Sequence, residues 1–240
     1  MKKMFFIITV FFLLSTTFAQ ENLLLRFPSI NNDGSKIAFS FQGDIWTVPT
    51  SGGKATRLTI HEAYEAYPKF SPDGTKIAFS GNRYGNNDIF IMPTEGGTPK
   101  RLTYHSAGDN ISSWTADGNI LFSTSREFNQ IERPSEVYSI SSLGGTESRV
   151  LDAVGFEPVQ SPDGRFIAFV RGDINPVFRE DYRGSSNRDI WLFDTKTNKY
   201  SPLTISLAND VLPQWSDART IYYLSTNDGR YNLYKSPYAK

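Results

Sequence analysis

Short runs of alternating apolar and polar residues, separated by turn residues, fill the chain after residue 23. Within residues 70–103, the alternating run 76–80 follows Asp73-Gly74, and a second apolar run, 88–92, precedes Gly96-Gly97. Alternation with a period of two puts every second side chain on the same face of a strand, and Asp-Gly and Gly-Gly pairs favour tight turns. Residues 70–103 are therefore predicted to form four short strands joined by turns.

This four-strand pattern recurs about five times, and an internal repeat decides the fold class before any other signal. The aspartates of the first turn lie 40 to 54 residues apart, at Asp33, Asp73, Asp117, Asp163 and Asp217. Four-stranded antiparallel units at this spacing are typical of β-propeller blades, whereas the competing all-β architecture, a sandwich, would not repeat so regularly. The sequence predicts an all-β protein with blades at roughly 23–59, 64–103, 111–151, 156–204 and 211–240. The last copy shows three strands, so that blade is predicted to be incomplete.

A leucine recurs at the fourth strand of the first four copies, where it is predicted to face the core of the next blade: Leu58, Leu102, Leu151 and Leu203. The connections between second and third strands lengthen from 41–43 in copy one to 172–188 in copy four. They share one end of the blades with the links from blade to blade, and we call this end the loop face. Long, irregular connections on a rigid scaffold often carry binding residues, so ligand contacts are expected there.

Residues 1–19 differ from the rest of the chain. Lys2 and Lys3 precede an apolar run at 4–14, and small and polar residues follow up to Ala19. This is the layout of a secretory signal peptide, with a mature start predicted at Gln20. The alternative is a membrane anchor, but the eleven-residue apolar run would rise only about 16 Å as a helix against a hydrocarbon core of about 30 Å. Export to a periplasm or cell envelope is therefore expected.

Composition narrows the classes of function. The 39% of hydrophobic residues is ordinary for a globular protein, and Lys plus Arg equals Asp plus Glu at 25 each, so no basic excess points to nucleic acid. Cysteine is absent, which excludes disulfides, thiolate metal sites and thiol nucleophiles. An exported chain without disulfides must be held together by its core, which suits an envelope compartment.

No motif assembles a catalytic or metal site. His61 and His105 occupy the same phase of consecutive repeats, where a structural hydrogen-bonding role is favoured over a zinc pair or a general base. A Gly-x-Ser-x-Gly elbow, a phosphate loop and an Asp-x-Asp-x-Asp-Gly calcium loop are all missing. Carboxylates on the loop face are more simply solvated side chains than an acid/base pair: Glu127, Asp173, Glu180 and Asp181. We predict no catalytic residue, metal or cofactor in this chain.

Several stretches resemble known propellers. The run Phe-Ser-Pro-Asp-Gly-Thr-Lys-Ile-Ala-Phe-Ser at 70–80 resembles the repeat of TolB-like and tricorn-protease-like proteins. Three narrower stretches are similar to the amino-terminal, six-bladed propeller of tricorn-type proteases: 25–28, 82–93 and 182–191. The resemblance extends over residues 23–235. It implies a six-bladed ring, of which this chain would supply a truncated part that associates or is unstable alone.

The resemblance also implies a function. In tricorn-type proteases the propellers filter or guide peptides, while other domains carry the serine-protease residues, so this chain is expected to be a non-catalytic, peptide-gating segment of an exported serine peptidase. The alternative is a TolB-like propeller that binds envelope proteins. Peptides, unfolded polypeptide or envelope proteins are the expected partners, with a possible homo-oligomer in the longer protein. The candidate peptide contacts on the loop face are Arg83, Tyr84, Arg126, Arg179, Arg183 and Arg188. Solvation, or pinning of loops within the blade, is the alternative role of these side chains.

Overall fold

A computed structural model describes residues 24–127, 135–172 and 187–238. These residues form five antiparallel sheets, and the strands within each sheet are neighbours in the sequence. Each sheet is one blade, so the architecture is the predicted β-propeller. Four blades have four strands, and the described part of the fifth has three. The described ranges contain no helical segment of membrane-spanning length and hydropathy.

The strands follow the repeats closely. Blade 1 contains β1 (Arg26–Ile30), β2 (Lys36–Phe41), β3 (Asp44–Pro49) and β4 (Thr56–Arg57). Blade 2 contains β5 (Glu65–Phe70), β6 (Lys76–Gly81), β7 (Asp88–Pro93) and β8 (Lys100–Arg101). Blade 3 contains β9 (Asn110–Trp114), β10 (Asn119–Thr124), β11 (Glu136–Ser141) and β12 (Ser148–Val154). Blade 4 contains β13 (Phe156–Gln160), β14 (Phe166–Arg171), β15 (Asp189–Asp194) and β16 (Lys199–Pro202). Blade 5 contains β17 (Asp210–Asp217), β18 (Thr220–Ser225) and β19 (Asn232–Pro237).

The turn between the first and second strands of blade 2 shows why Ser-Pro-Asp-Gly recurs. Gly74 has φ +69° and donates its N–H to the carbonyl of Ser71 at 2.9 Å. Asp73 Oδ1 accepts from Ser71 Oγ at 2.6 Å and from the N–H of Thr75 at 3.0 Å. The hydrogen bond from Ser71, with those from Thr75, lowers the pKa of Asp73 to about 2. Local interactions of the turn therefore fix the register of the adjoining residues of β5 and β6.

Apolar side chains of neighbouring blades pack together to form the core. Between blades 2 and 3, Leu102 lies among Ile89, Phe122 and other buried side chains and is 2% exposed. Leu151 is fully buried at the next junction. The other two recurring leucines are half-buried against their clusters: Leu58 and Leu203. The prediction that these leucines face the core of the adjacent blade is confirmed.

The first strands of the blades lie side by side around the propeller axis: β1 contacts β5, β5 contacts β9, β9 contacts β13 and β13 contacts β17. Each of them is an edge strand of its own sheet, so a proline costs no ladder hydrogen bond on its free side. In four blades the residue before such a proline has a φ of 53° to 58° and lies at a shift in strand register. We call these four residues the channel ring: Phe27, Tyr67, Glu157 and Leu212.

Candidate functional site

The loop face carries most of the predicted contacts. Four of the six candidates fall within the described ranges, on or beside the connections between second and third strands: Arg83, Tyr84, Arg126 and Arg188. The other two, Arg179 and Arg183, lie outside the described residues. The four described residues differ in what they contact, and the differences bear on whether each is available to a ligand.

Arg83 is bound to a buried carboxylate of its own blade. Its Nε and Nη2 lie 2.6 Å and 2.5 Å from Oε1 of Glu65, which is fully buried at the start of β5. The guanidinium also lies over the ring of Phe90, 5.1 Å from its centroid. Arg83 therefore pins the β6–β7 connection to the first strand of blade 2.

Arg126 makes the equivalent contact one blade further on. Its Nη2 lies 2.7 Å from Oδ2 of the fully buried Asp109 and 3.6 Å from Oε1 of Glu147. The guanidinium lies over the rings of Phe122 and Tyr138, at 5.4 Å and 5.0 Å. Only 9% of the Arg126 side chain is exposed. This geometry holds the loop in place and leaves little of the guanidinium for an incoming peptide.

Tyr84 is the most accessible of the four predicted contacts that the structure describes, with 64% of its surface exposed. The guanidinium of Arg101 lies between two exposed tyrosine rings, 4.3 Å from the centroid of Tyr84 and 4.6 Å from that of Tyr104. Arg101 also pairs with the buried Asp88 at 2.8 Å. Burial raises the pKa of Asp88, and the Arg101 contact opposes that rise. The two exposed aromatic rings and the guanidinium together form an amphipathic cluster on the loop face.

An ion pair between a carboxylate at the start of the third strand and an arginine of the fourth strand occurs in both of the first two blades. Blade 1 pairs Asp44 with Arg57, and blade 2 pairs Asp88 with Arg101. This pair was not identified from the sequence. In blade 4, Pro202 stands where the arginine would be, and no guanidinium of the described residues pairs with Asp189. Burial raises the pKa of Asp189, and the nearby charge of Asp210 adds to the rise. The signal in the sequence was an aspartate followed by an arginine at the same spacing in the first two repeats.

Glu127, one of the candidate carboxylates, is engaged by two neighbours. It accepts from Tyr138 Oη at 3.1 Å and from Arg149 Nη1 at 3.1 Å. Burial, with this hydrogen bond, raises the pKa of Tyr138 to about 12. The other three candidate carboxylates lie outside the described residues: Asp173, Glu180 and Asp181.

Both histidines are structural hydrogen-bond partners. Nδ1 of His61 accepts the N–H of Ala63, and Nδ1 of His105 accepts the N–H of Ala107, each at 3.0 Å. Ser206 Oγ accepts an equivalent backbone N–H in blade 4 at 3.1 Å. These hydrogen bonds are the kind of contact that the common phase of the two histidines predicts. No group of three or more potential metal-ligating side chains occurs within the described ranges.

A cavity of about 420 Å³ lies on the propeller axis, between the first strands of blades 2 to 5. Sequence reasoning directed attention to the loops and missed it, although the Xaa-Pro pairs of the first strands recur at one phase and were a readable signal. The lining includes three members of the channel ring. Polar and charged side chains that line it include Lys69, Asn110, Ser112, Glu157 and Gln214.

Two opposite charges face this cavity without forming a close ion pair. Glu157 Oε2 accepts the N–H of Leu212 at 2.8 Å. Burial raises the pKa of Glu157, and the positive charge of Lys69 opposes that rise. Burial also lowers the pKa of Lys69, and the negative charge of Glu157 opposes that fall. The positive charge of Arg188 also favours the ionised form of Glu157. The arrangement can accept polar and charged groups of a ligand on the axis.

A second cavity, of about 580 Å³, opens widely to solvent beside blade 1, where Arg26, His61, Glu62 and Tyr64 line it. Its only imidazole, that of His61, is already bonded through Nδ1 to a backbone N–H. In the described part of the chain, neither histidine is hydrogen-bonded to a serine or threonine hydroxyl. The two cavities and the loop face are therefore the surfaces that the described residues offer for binding.

The chain matches the family model of the tricorn protease N-terminal β-propeller domain over residues 22–240. The chain belongs to this family. A segment of 61 residues is also 39% identical to Tricorn protease homolog 1 of Streptomyces coelicolor, covering 25% of this chain. That segment spans only 6% of the relative's length. The resemblance inferred from the sequence is confirmed.

Solved structures agree with the fold of this tricorn-type propeller. The crystal structure of the tricorn protease matches it with a TM-score of 0.74 at 21% identity, covering 90% of this chain and 21% of that one. TolB from Acinetobacter baumannii matches with a TM-score of 0.70 at 22% identity, covering 90% and 52%. At sequence identities of 21% and 22%, this structural similarity shows a common fold.

Proposed function

We propose that this tricorn-type propeller is a non-catalytic segment that guides or gates peptides in the proteolysis performed by a longer, tricorn-like serine peptidase. The family match over residues 22–240 carries the proposal. The axial cavity of about 420 Å³ supports it, because that volume falls within the size range of ligand pockets and the wall offers both polar and apolar groups. The serine-peptidase centre belongs, in this proposal, to other segments of the protein, and the propeller is part of a six-bladed ring.

The proposal includes export. Residues 1–19 act as a signal peptide, and the propeller works in a periplasm or cell envelope. The positively charged start, the apolar run and the small residues before Gln20 support this, together with the absence of cysteine. Amino-terminal sequencing of protein recovered from the cell envelope should give Gln20 as the first residue. Recovery of a chain that still begins at Met1 would contradict export.

The loop face is the proposed entrance for peptides, through Arg83, Tyr84, Arg126, Arg179, Arg183 and Arg188. Their roles are not equivalent. Arg83 and Arg126 hold the loops by pairing with buried carboxylates, so their contribution to a peptide would come from the remaining N–H groups. Tyr84, exposed and stacked on Arg101, is the described side chain best placed to contact a passing chain.

Binding of unfolded polypeptide tests the proposal. The full chain would be titrated against a fluorescently labelled protein that has been reduced and alkylated so that it cannot fold, and against the same protein in its folded form. Saturable binding of the unfolded form alone is expected by fluorescence anisotropy, and Tyr84→Ala should weaken it. No binding of the unfolded form would reject a peptide-guiding role.

The second candidate function is a TolB-like propeller that binds folded envelope proteins without a linked enzyme. The likeness to TolB over 90% of the chain favours it. The same experiment separates the two functions, because this alternative expects no affinity for the unfolded protein. Specific retention of folded envelope proteins on the immobilised chain, with no binding of unfolded polypeptide, would support the TolB-like function.

A further inference from the structure

Lys69 differs from the arginines of the loop face in its charge partners. Arg83, Arg101 and Arg126 each pair with a buried carboxylate within 2.8 Å. The half-buried Lys69 lines the axial cavity, and no ion pair or hydrogen bond engages its ammonium within the described residues. Burial lowers the pKa of Lys69, which means that its positive charge is poorly solvated there. A negative group in the cavity would be stabilised by this ammonium.

The wall around Lys69 is held in an unusual backbone conformation. Tyr67 and Glu157 have φ values of 58° and 54°, in the left-handed region, which is strained for residues other than glycine. Such strain persists only where the surrounding structure imposes it, and it occurs often at ligand sites. Both residues lie at shifts in the strand register, and both line the axial cavity. The cavity wall is therefore preorganised.

The anionic group opposite Lys69 is already partly satisfied. Glu157 accepts the N–H of Leu212, and the charge of Arg188 favours its ionised form. Glu157 influences Lys69 electrostatically but stands beyond ion-pair distance from it. The space between the two side chains is thus bounded by an unpaired ammonium on blade 2 and a bonded carboxylate on blade 4. A carboxylate of a ligand fits beside Lys69, with neutral donors and acceptors such as Asn110 and Gln214 around it.

We propose that the axial cavity binds a carboxylate of an extended peptide, with the Lys69 ammonium as its counter-charge and the channel ring as its wall. This inference rests on the proposed function, because it names the group by which the propeller would hold its peptides. The carboxylate is either the carboxyl terminus of the peptide or an acidic side chain, and both sources present the same chemistry to Lys69. Charge-assisted hydrogen bonds of this kind are stronger than neutral ones.

The probe is an acetylated, fluorescently labelled octapeptide of small uncharged residues, in three forms: with a free carboxyl terminus, with a terminal amide, and with a terminal amide plus one internal aspartate. Anisotropy titrations with the full chain measure Kd for each form. The free acid, the aspartate peptide or both should bind about tenfold more tightly than the uncharged amide, a difference of about 1.4 kcal/mol. The form that binds tightly identifies the source of the carboxylate.

Lys69→Met keeps most of the aliphatic stem and removes the charge, so it should abolish this preference. Lys36→Met is the matched control, because Lys36 pairs with Glu95 beside the tight turns and does not line the axial cavity, so it should leave the preference unchanged. Glu157→Gln keeps an acceptor for the Leu212 N–H and removes the opposing negative charge, so it should tighten carboxylate binding.

Different outcomes would refute the Lys69 site and the peptide-guiding function. Peptides that bind equally with and without a carboxylate, or an equal effect of Lys36→Met and Lys69→Met, would overturn the Lys69 site while leaving a peptide-guiding propeller intact. Absence of binding by every peptide and by unfolded protein would overturn both. If Lys69→Met fails to fold, two results remain as the test: the carboxylate preference of the wild type and its increase in Glu157→Gln. The absence of either result would reject the site.

Discussion

Removal of the Arg126 guanidinium should destabilise the propeller rather than merely weaken a ligand contact. The Arg126 side chain is 9% exposed, and its Nη2 lies 2.7 Å from Oδ2 of Asp109, which is fully buried. In Arg126→Met, the aliphatic stem still covers the rings of Phe122 and Tyr138, over which the guanidinium lies. The Asp109 carboxylate, however, stays buried and loses its counter-ion.

The size of the loss follows from this burial. Breaking a buried ion pair by removing one partner costs about 3–5 kcal/mol, because the remaining charge is uncompensated. Arg165 provides a matched control: its side chain is 45% exposed and its Nη2 lies 3.1 Å from Asp194. Exposed pairs contribute about 0–1 kcal/mol, so Arg165→Met should have little effect. The double change Arg126→Met/Asp109→Asn should recover part of the loss, because the amide carries no buried charge.

Urea unfolding of the full chain, followed by tryptophan fluorescence and far-ultraviolet circular dichroism, measures these differences as shifts of the midpoint at constant slope. The order of stability should be wild type, Arg165→Met, the double variant and then Arg126→Met. Equal losses below about 1 kcal/mol for Arg126→Met and Arg165→Met would refute the reasoning. So would a double variant less stable than Arg126→Met, and Arg126 would then be better regarded as a surface residue available to peptides.

Two further predictions concern the core and the turns. Leu102→Ala should lower the free energy of unfolding by about 2–5 kcal/mol, because it leaves a cavity at a site that is 2% exposed. The control Ile60→Ala, at an 80% exposed position, should change this free energy by less than about 0.5 kcal/mol. Similar losses in the two variants would contradict the packing of Leu102. Hydrogen bonds from Ser71 and Thr75 lower the pKa of Asp73 from 3.8 to about 2, so the stability that its charge contributes is complete above pH 3.8 and disappears as pH falls toward 2. The stability difference between wild type and Asp73→Asn should accordingly shrink over that range in acid titrations of the urea midpoint, and a difference independent of pH would contradict it.

Much of the fold could be predicted from the sequence because the signals are local and repeated. Asp73-Gly74 and its counterparts fix a turn through hydrogen bonds that span only a few residues. Alternating apolar residues then assign each strand two faces, and the leucine of the fourth strand marks the face that packs on the next blade, as Leu102 shows. Five copies of one pattern reinforce each other, which is why a blade could be recognised even where a copy diverges.

The partners of charged side chains were decided by tertiary structure. Arg83 and Arg126 stand in loops whose sequences offer no indication of where a guanidinium will point. Their carboxylates lie 18 and 17 residues earlier, respectively, at or directly before the start of a first strand. A sequence that places an arginine on a loop does not distinguish a ligand contact from an internal ion pair, because burial of the opposite charge depends on how two connections pack. Tyr84 lies on the same loop as Arg83 and is exposed, which shows that packing, and not position on a loop, decides which side chain is available.

The repeat by itself determined that this protein is a propeller with a tight end and a loop end. Only the tertiary structure revealed that its inner strands enclose a cavity in which Lys69 and Glu157 face each other from different blades. These two residues are 88 positions apart, and neither belongs to a motif that points to the other. Their proximity arises because the blades are arranged around an axis, and an axis is a property of the packed blades, which no single repeat contains.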